Sequence, residues 1–201
     1  MPNAHKPSRI QASIDLVAPG HHRGDLMLKY PDNTCPRGYH PIPVISIKGG
    51  DGPVLRITGT THGDAFEGPA AIMRLAVRLG PADLLGQIIL MPALNAPALA
   101  ASARVLPLDG ANLNRALRGN ADGGPTAMTG GYIETLLPHS DGAIDLHSGG
   151  KASVFAPSAL AAQTADPGLR AQNLALARAA LSDAVICWRW WRRMFGMGRP
   201  E

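Results

Sequence analysis

Three short apolar runs constrain this chain more than any other feature. They are Val54-Leu55-Arg56-Ile57-Thr58, Gln87-Ile88-Ile89-Leu90-Met91-Pro92 and Ala143-Ile144-Asp145-Leu146-His147. Each is too short for a buried helix and rich in β-branched or leucine side chains, so each reads as a buried strand. Between the first two lies a helical pattern over about residues 68–79, with Ala70, Ala71, Met73, Leu75, Ala76 and Leu79 forming the expected apolar stripe, ended by Gly80-Pro81. A short helix is expected near 96–103, another over 132–137 and a longer one over 169–181. Pro41 to Ile47 reads as a further strand, edged by its prolines. Strands alternating with helices imply an α/β layer fold. Residues 1–40 are expected to be irregular.

In open α/β sheets, ligands bind outside the carboxyl ends of the strands. His62, in Thr61-His62-Gly63-Asp64-Ala65-Phe66-Glu67-Gly68, and His147, in Asp145-Leu146-His147-Ser148-Gly149-Gly150, both fall at that end of an expected strand. Imidazole is a common transition-metal ligand through one neutral ring nitrogen. Asp145 precedes His147 by two positions, which in a strand places both side chains on one face. Such a carboxylate can orient the ring. A third segment, Asp109-Gly110-Ala111-Asn112-Leu113-Asn114-Arg115, sets an Asn-Arg pair in a loop. Its chemistry suits a carboxylate, with the guanidinium fork and a directional amide; an ordinary solvated loop reads the same way. Arg104 is a second candidate cation.

Composition narrows the remaining classes. Two cysteines, Cys35 and Cys187, make neither a disulfide framework nor a cysteine zinc site. The net charge of +4 comes mostly from Arg189, Arg192, Arg193 and Arg199 near the C-terminus, so no basic face for nucleic acid is expected. The polar first 25 residues do not read as a signal peptide, and no apolar run is long enough to span a membrane. The cytosol is the expected compartment. Ser148 lacks the Gly-x-Ser-x-Gly elbow of serine hydrolases, and no phosphate-binding glycine loop is present.

The three segments, in this order, resemble the succinylglutamate desuccinylase/aspartoacylase family, relatives of the zinc carboxypeptidases. The matching text is Thr61-His62-Gly63-Asp64-x-Phe66-Glu67-Gly68, then Asp109-Gly110-x-Asn112-Leu113-Asn114-Arg115, then Asp145-Leu146-His147-Ser148-Gly149-Gly150. Met91-Pro92-Ala93-Leu94-Asn95 and Leu136-Leu137-Pro138-His139 are most similar to the branch that includes N-acetyl-diaminobutyrate deacetylases. The resemblance runs from about residue 10 to residue 181. It implies a zinc-exopeptidase-like mixed sheet flanked by helices. It also implies hydrolysis of a linear amide, removing an acyl group, by expectation acetyl, from a small-molecule N-acyl amino acid. One Zn2+ per chain is implied, with His62 and His147 as ligands and Asp145 behind His147. Asn114 and Arg115 match the pair that binds the substrate carboxylate, and Arg104 a further substrate contact. Bound zinc lowers the pKa of its water to about 7 and polarises the carbonyl.

Two departures qualify that picture. The family glutamate that serves as third zinc ligand is Ala65 here, and a methyl group cannot coordinate a cation; Asp64 and Glu67 are the nearby carboxylates. Family members also extend well beyond the His-Ser-Gly-Gly motif, with the general-base glutamate in that part. No catalytic base is therefore assigned, and a C-terminally truncated, impaired hydrolase is expected. The alternative is a non-catalytic carboxylate or acyl-amino-acid binder on the same fold. The expected organisation is an irregular segment over 1–40, a partial catalytic domain over 41–184, and a Trp/Arg-rich tail over 185–201. That tail reads in three ways: a changed reading frame, an interfacial membrane segment, or a strand at 185–187. An open sheet edge predicts self-association.

Overall fold

A computed structural model describes residues 8–33, 36, 38–180 and the backbone of 185–188. Cys35 and residues 189–201 lie outside them. The main sheet has six strands: β1 (Gln11–Ala12), β2 (Gly20–Lys29), β3 (Tyr39–Lys48), β4 (Val54–Gly59), β5 (Gln87–Met91) and β6 (Gly142–Leu146), in spatial order β1-β2-β3-β5-β4-β6. β1, β2, β3 and β5 pair antiparallel in turn, whereas β4 is parallel to both β5 and β6. Four helices accompany it: α1 (Glu67–Arg78), α2 (Ala96–Ala100), α3 (Pro125–Leu136) and α4 (Pro167–Ala180). A two-stranded parallel pair, β7 (Ala159–Ala162) with β8 (Val185–Trp188), completes the described chain. The fold is mixed α/β, with the three expected strands in place, although β6, at the sheet edge, is only half-buried.

The sheet buries both faces. On one side Ile89 and Met91 of β5 meet Leu94, Leu113, Met128 and Ile133. On the other, Ile57, Ile88 and Leu90 meet Ile72 and Ala76 of α1. β5 is buried along its whole length, which is why it carries no polar alternation. The two prolines of β3 are tolerated for a local reason. β5 reaches only Ile45–Lys48, so Pro41 and Pro43 lie where β3 has a neighbour on one side alone.

Several expectations need correction. The stretch 1–40 is not irregular throughout, since β2 pairs with β3 over ten residues. Gly20, His21, His22, Gly24 and Asp25 have weak strand propensity and hid it; only Leu26 and Leu28 are fully buried there. The α1 stripe holds in part: Ala76 is buried and Leu75 and Leu79 pack against the core, but Ala70 and Ala71 are exposed. Gly68, Ile72 and Ala76 face the core, while Met73 is 48% exposed. α3 begins at Pro125, ahead of the helix expected over 132–137, because Thr126, Thr129 and Gly130 mask the apolar period. β7 was not anticipated. β8 agrees with the strand alternative for 185–187.

Candidate functional site

β4 and β6 lie side by side in parallel, with Gly59 opposite Leu146, so the residues just beyond each strand emerge together. That register brings His62 and His147 into contact, with ring centroids 5.3 Å apart and planes at 80°. His62 is 3% exposed. The turn carrying it presses against α2: a Cβ on Gly63 would stand 2.1 Å from the Ala98 carbonyl carbon, so only glycine fits there. The preceding Thr60 is fully buried at φ 62°, a strained value for a β-branched residue. Its hydroxyl donates to the Pro92 carbonyl at 3.0 Å.

The two imidazoles are held in the same sense. His62 Nδ1 lies 3.1 Å from the Arg104 carbonyl oxygen, which can only accept, so Nδ1 carries the proton. His147 Nδ1 lies 2.8 Å from Asp145 Oδ2. Each ring therefore keeps its Nε2 lone pair free. His62 Nε2 is buried and has no partner among the described residues. Asp145 is anchored from β4, accepting from Thr58 Oγ1 at 2.7 Å and from Thr61 Oγ1 at 3.0 and 3.1 Å.

Burial lowers the pKa of His62 and keeps it neutral; the Arg104 and His147 charges add to that. Burial opposes charging His147 as well, but the hydrogen bond and charge of Asp145 outweigh it and raise its pKa. Burial likewise opposes ionising Asp145, yet His147, Thr58 and Thr61 hold its carboxyl below the usual range.

The other candidates are placed as follows. The Arg104 side chain is exposed, but its charge acts on both histidines. Asn114 lines a cavity together with Thr61 and Asp145. Arg115 is exposed in the adjoining 3-10 turn (Leu113–Arg115), its Nη1 donating to the Asn114 carbonyl at 3.0 Å. Ala65 is 3% exposed. Asp64 Oδ1 is buried without a hydrogen-bond partner among the described residues, and a Cβ on Gly150 would come within 2.6 Å of Asp64 Oδ2. The Glu67 carboxylate accepts a hydrogen bond from Ser148, beside His147.

Two imidazoles with free Nε2 atoms suit a divalent cation. Among the described residues, however, no three His, Cys, Asp or Glu side chains group as a metal site, so the donor set does not fit the usual catalytic zinc, which takes three protein ligands.

Sequence reasoning missed the part Asp109 plays. It ties the Asn-Arg loop to the start of α3, with Oδ1 accepting from Thr126 Oγ1 at 2.8 Å and Ala111 N at 3.0 Å, and Oδ2 accepting from Thr126 N at 2.9 Å. It also missed Arg56, a 4% exposed cation in the middle of β4. An arginine inside an apolar strand run was the available signal.

The family model of the succinylglutamate desuccinylase/aspartoacylase catalytic domain matches residues 51–190, which contain all of these side chains. The chain belongs to the succinylglutamate desuccinylase/aspartoacylase family. It is 40% identical over 159 residues to the N-alpha-acetyl-L-2,4-diaminobutyric acid deacetylase of Halomonas elongata, covering 79% of this chain and 46% of that protein. Among solved structures of the family it is similar to a succinylglutamate desuccinylase from a Silicibacter species (TM-score 0.82, 40% identity, 87% of this chain and 53% of that one). It is also similar to the ectoine utilization protein EutE of Ruegeria pomeroyi (TM-score 0.82, 38% identity, 87% and 54%). The chain thus spans about half the length of these relatives. Among the described residues no helix is long and apolar enough to cross a membrane.

Proposed function

We propose that this chain carries the acyl-amino-acid deacylase site of its family in a form weakened at the metal position. The observation that supports this most is the pair of imidazoles at the ends of neighbouring parallel strands, each with Nδ1 occupied and Nε2 free. The deacetylase relative in Halomonas elongata favours a small N-acetylated diamino acid as substrate class. In this reading Asn114, Arg115 and Arg104 take the substrate carboxylate and carbonyl. His62 and His147 supply two zinc ligands, and Asp145 fixes the His147 ring. Ala65 offers no donor, so zinc binding falls by more than the 10–100-fold typical of losing an outer partner, and hydrolysis falls with it.

The test is zinc content after dialysis, and affinity by chelator competition, for the wild type beside Ala65→Glu, with hydrolysis of N-acetyl-diaminobutyrate followed in parallel. Ala65→Glu should retain about one zinc per chain while the wild type loses it. A wild type that holds zinc as tightly as the variant would overturn the weakened-site reading. Ala65 also favours a second reading, a carboxylate binder without turnover. Its mark is binding of the acyl amino acid that survives chelation and disappears in Arg115→Ala.

A further inference from the structure

Arg56 lies at the centre of β4, flanked on both sides: Ile89 of β5 and Ala143 of β6 stand opposite it. Nε and Nη1 are buried and have no hydrogen-bond partner among the described residues. A cavity of about 30 Å³ adjoins it, walled largely by Met91, Leu94, Leu113, Ile133, Leu136 and Leu137. That is room for about two water molecules.

The carboxylate bordering this cavity is Asp145, and both of its oxygens are taken, by Thr58, Thr61 and His147. Tyr132 acts on Arg56 from nearby, but burial raises its pKa and keeps the phenol neutral. The Arg56 guanidinium stays charged at neutral pH even though burial, its largest influence, lowers its pKa to about 10. A buried cation requires a counter-charge as well as hydrogen-bond acceptors, and water supplies only the second.

We propose that this cavity holds a small monovalent anion against Arg56, either chloride or a one- or two-carbon carboxylate. The volume excludes larger organic acids. The apolar walls offer too few donors to balance a divalent phosphate or sulfate. Asn114 of the Asn-Arg turn and Asp145 also line this cavity, but the inference rests on Arg56, to which the deacylase reading gives no role.

The experiment is thermal unfolding of the full chain at constant ionic strength, with sodium gluconate replaced stepwise by sodium chloride in one series and by sodium acetate in another. The wild-type midpoint should rise saturably in at least one series, by about 5 °C or more at saturation. The anion that saturates at lower concentration is the better fit. Arg56→Met should show no saturable rise. A flat wild-type response in both series overturns the proposal, and so does an equal response in Arg56→Met, which marks a general salt effect. If Arg56→Met does not fold, chloride-35 line broadening by the wild type decides. Excess broadening removed by bromide or acetate supports the site, and its absence overturns it.

Discussion

Replacing Arg56 with leucine should make this protein more stable. Arg56 is 4% exposed as a residue, and two of its three guanidinium nitrogens are buried with no hydrogen-bond partner among the described residues. Its pKa of about 10 reflects burial, opposed only in part by Tyr132. A fall of that size from an ordinary arginine corresponds to at most about 3 kcal/mol against the charged form at neutral pH, less where solvent screens the charge. Leucine fills less of the space beside Ile133 and Leu136, which returns about 1 kcal/mol as residual cavity. The net gain is at most about 2 kcal/mol, within the range seen when buried charges give way to apolar side chains. For a chain of this length it corresponds to a rise of at most about 4–8 °C in the melting midpoint. The assay is urea and thermal unfolding of both proteins in a gluconate buffer free of chloride and acetate. The pH dependence carries the same sign. The penalty is fully present below the folded pKa and fades as pH rises through about 10, where the wild type should close on the variant. An Arg56→Leu protein that melts at or below the wild type in gluconate refutes the reasoning, because it means that the guanidinium already has its counter-charge within the protein.

Two further outcomes are expected. In metal-free protein, Asp145→Asn should drop the His147 pKa below its ordinary value, since burial and the Arg104 charge then act without the carboxylate; proton NMR titration of the ring reads this. The wild-type pair adds stability that is lost as pH falls through the lowered Asp145 value and as pH rises through the raised His147 value, so Asp145→Asn should flatten both limbs at a loss of about 1–3 kcal/mol. Asp109→Ala removes two hydrogen bonds that join the Asn-Arg loop to α3 and one within the loop. It should cost about 1–2 kcal/mol and speed amide exchange across 109–116, and unchanged exchange there would show that the loop is held by other contacts.

The histidine pair was legible in the sequence because strand ends and loop histidines are local features. Parallel register then did the rest. The Asn-Arg segment was legible as a motif, but the work of Asp109 was not, because its partner Thr126 lies 17 positions away in a helix whose start was hidden. β2 escaped notice since pairing with β3, rather than its own weak propensities, makes it a strand. Of the α1 stripe, Leu75, Ala76 and Leu79 were legible, while Ala70, Ala71 and Met73 face outward and Ile72 was left out. Arg56 could be seen in its strand, but no local pattern tells whether an anion faces it across the core. That is a property of α3 and β6, both far along the chain.

The span between β4 and β6 also bears on how the site comes into being. Thr58 and Asp145, bonded to each other, are 87 residues apart in sequence, with α1, β5, α2 and α3 made in between. A parallel pairing over that distance must close a long loop before any contact rewards it, which places it among the slow events of folding. During synthesis β4 waits for β6, and until β6 docks, His62 has no neighbouring imidazole and Arg56 lacks one wall of its cavity. The rest of the sheet, β2 with β3 and β3 with β5, is joined by shorter connections and can form ahead of it. The histidine pair and the cavity beside Arg56 are therefore assembled by the same late step, and a change that delays the docking of β6 would remove both together while leaving most of the sheet intact.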